Sequence, residues 1–68
     1  MINLPIEGTF ITLQQALKMA NIISSGGMAK VFLHEENVYV NQEREVRRGR
    51  KLYPGDLISW NGQDIKIV

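Results

Sequence analysis

Five of the eight basic residues in this chain fall within eight positions, Arg44, Arg47, Arg48, Arg50 and Lys51, although the formal net charge is only +1. The basic character is therefore local. Guanidinium groups present planar forks that match the oxygens of a phosphate, and clustered cations displace the counterions condensed on a polyanion. The segment follows an apolar alternation at Val38 and Val40 and precedes Pro54-Gly55-Asp56, so a folded platform is expected to present it. A nucleic acid is the leading class of partner, ahead of a small-molecule substrate. Lys18 and Lys30, on the polar faces of two predicted helices, widen the patch if those faces adjoin the loop. Tyr39, Tyr53 and Trp60 are candidates for stacking on unpaired bases, with core packing the expected role of Trp60.

A second candidate site is Ser24-Ser25-Gly26-Gly27, which opens the second predicted helix. Free amides at a helix start favour an anion, and glycine lets a phosphate approach the backbone closely. The same glycines also serve a tight turn between helices, and the two roles are compatible. The Lys-Ser/Thr pair of a nucleotide-binding loop is absent downstream.

Catalytic chemistry finds no residues to carry it. His34 is the only histidine and there is no cysteine, which leaves no histidine relay, thiol nucleophile or thiolate metal site within the chain. His34, beside Glu35 and Glu36, reads as a solvated residue near a helix C-terminus. Asp56 reads as a turn residue bonding its own backbone. The expectation is a protein that is not an enzyme and needs no cofactor or metal.

The elements that must position these residues are short. Sixty-eight residues suit one domain, 1–68, with one modest core, since a chain of this size buries only about 60% of its unfolded surface. At 44% hydrophobic and 22% charged residues, the composition is that of a globular protein. The lack of cysteine fits a reducing compartment. The first residues carry no basic leader and no run approaches the ~20 apolar residues of a bilayer span, so a cytoplasmic protein without membrane contact is expected.

Ile2, Leu4 and Ile6 alternate as a strand that Pro5 confines to a sheet edge. Thr12 followed by Gln15 forms a capping box for a helix beginning at Leu13, with Leu13, Ala16, Leu17 and Ala20 as its apolar stripe and Asn21 ending it in a left-handed turn. Ile22-Ile23 returns to the core. A second helix from Met28 to about Glu36 buries Ala29, Phe32 and Leu33, with Asn37 as its C-terminal cap. Val38 to Asn41 form a strand; its turn falls at Asn41-Gln42 or in a longer loop, with the return strand near Glu45-Val46. Leu57 to Trp60 and Ile65 to Val68 flank Asn61-Gly62, a strong hairpin signal. The predicted order is strand, helix, helix, then four short strands: an α+β fold with two packed helices on a small, mostly antiparallel sheet of four to five strands.

With these elements in place, the chain resembles the RNA-binding domain named after small-subunit ribosomal protein S-four, also called the αL motif. The likeness covers about residues 11–60. Its carriers are Leu13 to Ala20, Ser24-Ser25, Ala29, Val38-Tyr39-Val40-Asn41 and Lys51-Leu52-Tyr53-Pro54-Gly55-Asp56-Leu57-Ile58. Ser25-Gly26-Gly27-Met28-Ala29-Lys30 together with Arg47-Arg48-Gly49-Arg50-Lys51-Leu52 is similar to short bacterial members in which the domain stands alone. The resemblance implies a surface made by the two helices and the adjoining loop, docking on structured RNA, ribosomal or transfer RNA, with a ribosomal subunit among the partners. Gly26 stands where most members have an arginine, which moves that phosphate contact to Lys30 or to the Arg47–Lys51 segment. Asn37 and Gln42 replace glycines that usually flank the Val-x-Val-Asn strand.

The expected RNA-binding residues are Lys18, Ser25, Gly26, Gly27, Lys30, Arg44, Arg47, Arg48, Arg50 and Lys51. Four phosphates neutralised by Arg47, Arg48, Arg50 and Lys51 would give a log-log salt slope of about −3 to −4. Two other classes are weaker. A ubiquitin-like carrier or protein-interaction domain shares the Val-x-Val-Asn and Gly-Asp-x-Ile patterns, but the C-terminal Gly-Gly used for activation is replaced by Ile67-Val68. A helix-turn-helix reading of duplex DNA has only Lys30 and His34, beside Glu35 and Glu36, to offer a major groove.

Overall fold

The computed structural model describes residues 1–68. In chain order it contains β1 (Ile2–Leu4), β2 (Ile11–Thr12), α1 (Leu13–Met19), a 3-10 turn (Gly26–Met28), α2 (Ala29–Glu35), β3 (Tyr39–Val40), β4 (Glu43–Arg44), β5 (Lys51–Leu52), β6 (Leu57–Trp60) and β7 (Gln63–Ile67). Five strands make one sheet in the order β1-β7-β6-β3-β4, and β2 with β5 forms a separate two-stranded ribbon. Only β1 and β7 run parallel, with Ile2 opposite Ile65 and Leu4 opposite Ile67. The α+β class stands, with five strands after the helices where four were predicted. No helix is long and apolar enough to cross a membrane.

Alternation decides which face is covered. Ile58 on β6 and Ile65 and Ile67 on β7 turn inward and join Leu13, Leu17 and Leu33 of the helices, together with Val38, Val40 and Leu52, in one buried cluster. Two packed layers around one core are what elements with a single apolar face must form. Pro5 ends β1, an edge strand as its missing N–H requires.

Helix α1 starts where its capping residues put it. Thr12 accepts from the Gln15 amide at 3.2 Å, and the Thr12 amide donates to Gln15 Oε1 at 2.9 Å. Leu13, Ala16 and Leu17 are buried, and Ala20 is half-buried at the helix end. Asn21 follows with φ 60°, the predicted left-handed exit.

Three local expectations are corrected. Helix α2 begins one residue later than Met28, after the 3-10 turn, and ends at Glu35, where Glu36 leaves in an extended conformation. Asn37 does not cap it. That task falls to Arg44, whose guanidinium donates to the carbonyls of Leu33 at 3.3 Å and His34 at 3.5 Å, satisfying acceptors that a helix end leaves open. The third correction concerns the return strand, because the turn falls at Asn41-Gln42, the first of the two places expected. Asn41 and Gln42 take φ 51° and 72°, so the return strand is Glu43–Arg44 rather than Glu45-Val46. Two successive positive φ values match the twist of a tight hairpin. Asn41 anchors this turn from outside, accepting from the Leu57 amide and donating to Asp56, both at 3.0 Å, which offsets the strain at Gln42.

Candidate nucleic-acid interface

The basic loop is tied to the fold by its own backbone. The Glu45 amide extends the β3–β4 pairing by donating to Val38 O at 2.9 Å, and the Arg50 amide donates to Arg47 O at 3.2 Å to close a turn over Arg47–Arg50. The first amides of α1, which have no partner inside the helix, then reach across. Leu13 N donates to Arg50 O at 2.8 Å and Gln14 N to Arg48 O at 3.0 Å. Lys51–Leu52 pairs with Ile11–Thr12 immediately afterwards. The loop is thus held at both ends and against the start of α1.

Glu45 organises its side chains. It is the only buried charged residue, 5% exposed, and sits inside the turn. Its Oε2 accepts from the amides of Val46 and Arg47, each at 3.0 Å, and from Arg47 Nε at 3.1 Å. Its Oε1 accepts from Arg47 Nη2 at 3.0 Å and Arg50 Nη1 at 2.9 Å. The Arg47 guanidinium, and then that of Arg50, outweigh the opposing effect of burial and hold the Glu45 carboxyl at about 2. The same bond raises the pKa of Arg47.

The five cations of the segment therefore have three different surroundings. Arg44 lies on the C-terminal carbonyls of α2. Arg47 and Arg50 share one carboxylate, leaving one net positive charge between them; the Arg47 side chain remains 72% exposed and that of Arg50 31%. Arg48 and Lys51 are exposed and make no ion pair, while Lys51 Nζ stands 4.8 Å from the centroid of the Phe10 ring. Among the nearby carboxylates Glu45 alone pairs with these cations; Glu43 and Asp56 form no ion pair.

Gln14 links the two candidate sites. Its amide binds the basic loop, and its side chain lies against Gly26 so closely that a Cβ there would collide with Nε2. The glycine at position 26 thus has a packing reason. Gly27 and Ser25 are exposed, and the Ser25 hydroxyl makes no capping bond. Lys30 is exposed on the first turn of α2 and Lys18 on the last turn of α1, neither in an ion pair.

Several residues take the supporting roles expected of them. Asp56 accepts from the Tyr53 amide at 2.8 Å as a turn residue. Trp60 packs on Phe32, centroids 5.3 Å apart, and donates from Nε1 to Glu36 at 3.1 Å. Phe10 was not among the expected site residues. It lies beside Tyr53, centroids 5.9 Å apart, because β2 pairs with β5; with only two residues in each strand the sequence carries no periodicity to signal it.

Comparison with known proteins places this geometry. The model of the S4 domain matches residues 4–68. A relative in Bacillus subtilis (strain 168), described as a probable ribosome maturation protein RlbA, is 56% identical over 57 residues, spanning 84% of this chain and 80% of the relative. The solution structure of YbcJ from E. coli, described as having an αL motif involved in RNA-binding, superposes with a TM-score of 0.73 at 26% identity, covering all of this chain and 87% of that one. With the match running through both helices, the clamped basic loop and the C-terminal hairpin, the chain belongs to the S4 domain family.

Proposed function

We propose that this chain is a non-catalytic RNA-binding module of the cytoplasm, a single domain over 1–68, that docks on structured RNA, ribosomal or transfer RNA, and acts in association with the ribosome. One observation carries the reading: the Arg47–Lys51 loop is fixed to the first turn of α1 and presents exposed Arg48, Lys51 and Arg47 from a rigid backbone. Preorganised cations lose little entropy on meeting phosphates, and A-form RNA is recognised largely through shape and backbone. The likeness to YbcJ, described as having an αL motif involved in RNA-binding, and to a relative described as a probable ribosome maturation protein supports the reading. In this reading Lys18 and Lys30 extend the patch and Ser25 with the Gly26-Gly27 turn borders it.

Glu45 changes the expected salt dependence. With Arg47 and Arg50 jointly contributing one net charge beside Arg48 and Lys51, about three phosphates are neutralised by the loop, and the slope becomes about −2 to −3. Affinity for a ribosomal RNA fragment should then fall about 15- to 60-fold between 50 and 200 mM salt. The informative variant is Arg48→Ala with Lys51→Ala, because removing Arg47 or Arg50 would also strand a buried carboxylate. Absence of binding at low salt, or wild-type affinity in that double variant, would refute the proposal.

A further inference from the structure

We infer that Tyr53, with the tilted Phe10 ring beside it, forms a stacking platform for one unpaired base of the bound RNA, with Lys51 over Phe10 holding the adjoining phosphate. This rests on the RNA-binding reading above and adds a ligand class to one edge of that surface. Both rings are open to solvent, Phe10 39% and Tyr53 44% exposed, and they meet at 48° with centroids 5.9 Å apart. They continue the short ribbon, one residue beyond the Ile11–Leu52 pair, so the backbone of each is positioned by strand pairing.

Tyr53 is fixed further. Its amide donates to Asp56 Oδ2 at 2.8 Å and its carbonyl accepts from the Asp56 amide at 2.9 Å, while Asp56 is itself held by Asn41 at 3.0 Å. An exposed ring on a rigid turn loses little freedom when a base settles on it. Lys51 joins the two sites, being the last cation of the loop and lying 4.8 Å from the Phe10 centroid. A base whose phosphate reaches Lys51 is therefore delivered to these rings. The other aromatic pair offers no such surface: Phe32 and Trp60 are half-buried against the core and the indole N–H is occupied by Glu36. A paired stem keeps its base faces inside the stack, so the ligand is a loop, bulge or end.

The test compares a hairpin RNA bearing an unpaired loop with a blunt duplex of the same length, for the wild type and for Phe10→Ala with Tyr53→Ala. The wild type should favour the looped RNA. The double variant should lose about five- to a hundredfold in affinity for it, with duplex binding and salt slope unchanged, and Tyr53→Phe should retain wild-type affinity. A fluorescent adenine analogue at the unpaired position should be quenched by the wild-type protein, a readout that needs no variant. If the double variant binds both RNAs as the wild type does and the fluorophore is unquenched, the platform is refuted while RNA binding stands. If the wild type binds neither RNA at low salt, the RNA-binding reading itself fails.

Discussion

Replacing Glu45 with glutamine removes a charge and leaves the shape. In the folded protein the Glu45 carboxyl is held at about 2 against an ordinary 4.5. At about 1.36 kcal/mol per pH unit, that difference bounds its contribution at about 3 kcal/mol. The Arg47 side chain is 72% exposed, so solvent screens much of the interaction, and about 1–2 kcal/mol is expected to be lost in Glu45→Gln at pH 7. In a domain of this size such a loss lowers Tm by about 5–15 °C. The sign of the pH dependence follows from the depressed pKa. The stabilisation is fully present above pH 4.5 and disappears as pH falls through 4.5 towards 2, where the wild-type carboxyl takes up its proton. Urea titrations at pH 7, 4 and 2 should therefore show wild type and Glu45→Gln separated at neutral pH and converging in acid. Equal stability at pH 7, or a gap that persists unchanged to pH 2, would refute the assignment of Glu45 as the ionised clamp of the loop.

Other perturbations reach separate parts of the structure. Thr12→Ala removes one half of the capping box and should cost about 1 kcal/mol in chemical denaturation. Gln42→Gly places glycine at φ 72° and should raise stability by about 0.5–1 kcal/mol, measured in the same way. Arg44→Ala uncaps α2 and should lower stability by about 1 kcal/mol while leaving the salt slope of RNA binding unchanged, which separates its structural task from that of Arg48 and Lys51. In Gly26→Ala the new methyl meets only the end of the Gln14 side chain, so the loss should stay below about 1 kcal/mol and vanish when Gln14→Ala is added, as a double-mutant cycle would read.

What could be read from the sequence was what short-range chemistry decides. The Thr12–Gln15 box, the left-handed exit at Asn21 and the Asn61-Gly62 hairpin each depend on residues within a few positions, and each stands where expected. Nothing local distinguishes Arg44, exposed like most of the cationic run, as the one whose guanidinium also caps a helix eleven residues upstream. Glu45 was readable only as a nearby negative charge; its burial follows from the turn it closes. The Asn41-Gln42 turn is one of the two alternatives the sequence leaves open, and what decides for it, the contacts of Asn41 with Asp56 and Leu57, lies far along the chain. The Phe10–Tyr53 neighbourhood likewise exists only once the ribbon has paired.

The stitching of the basic loop to the first amides of α1 has a dynamic consequence. Fraying of that turn releases the carbonyls of Arg48 and Arg50 and slackens the loop, so the two segments open as one cooperative unit. A polyanion that grips the loop must therefore slow hydrogen exchange at Leu13 and Gln14, whose backbone it need never touch. These two amides report occupancy at a distance.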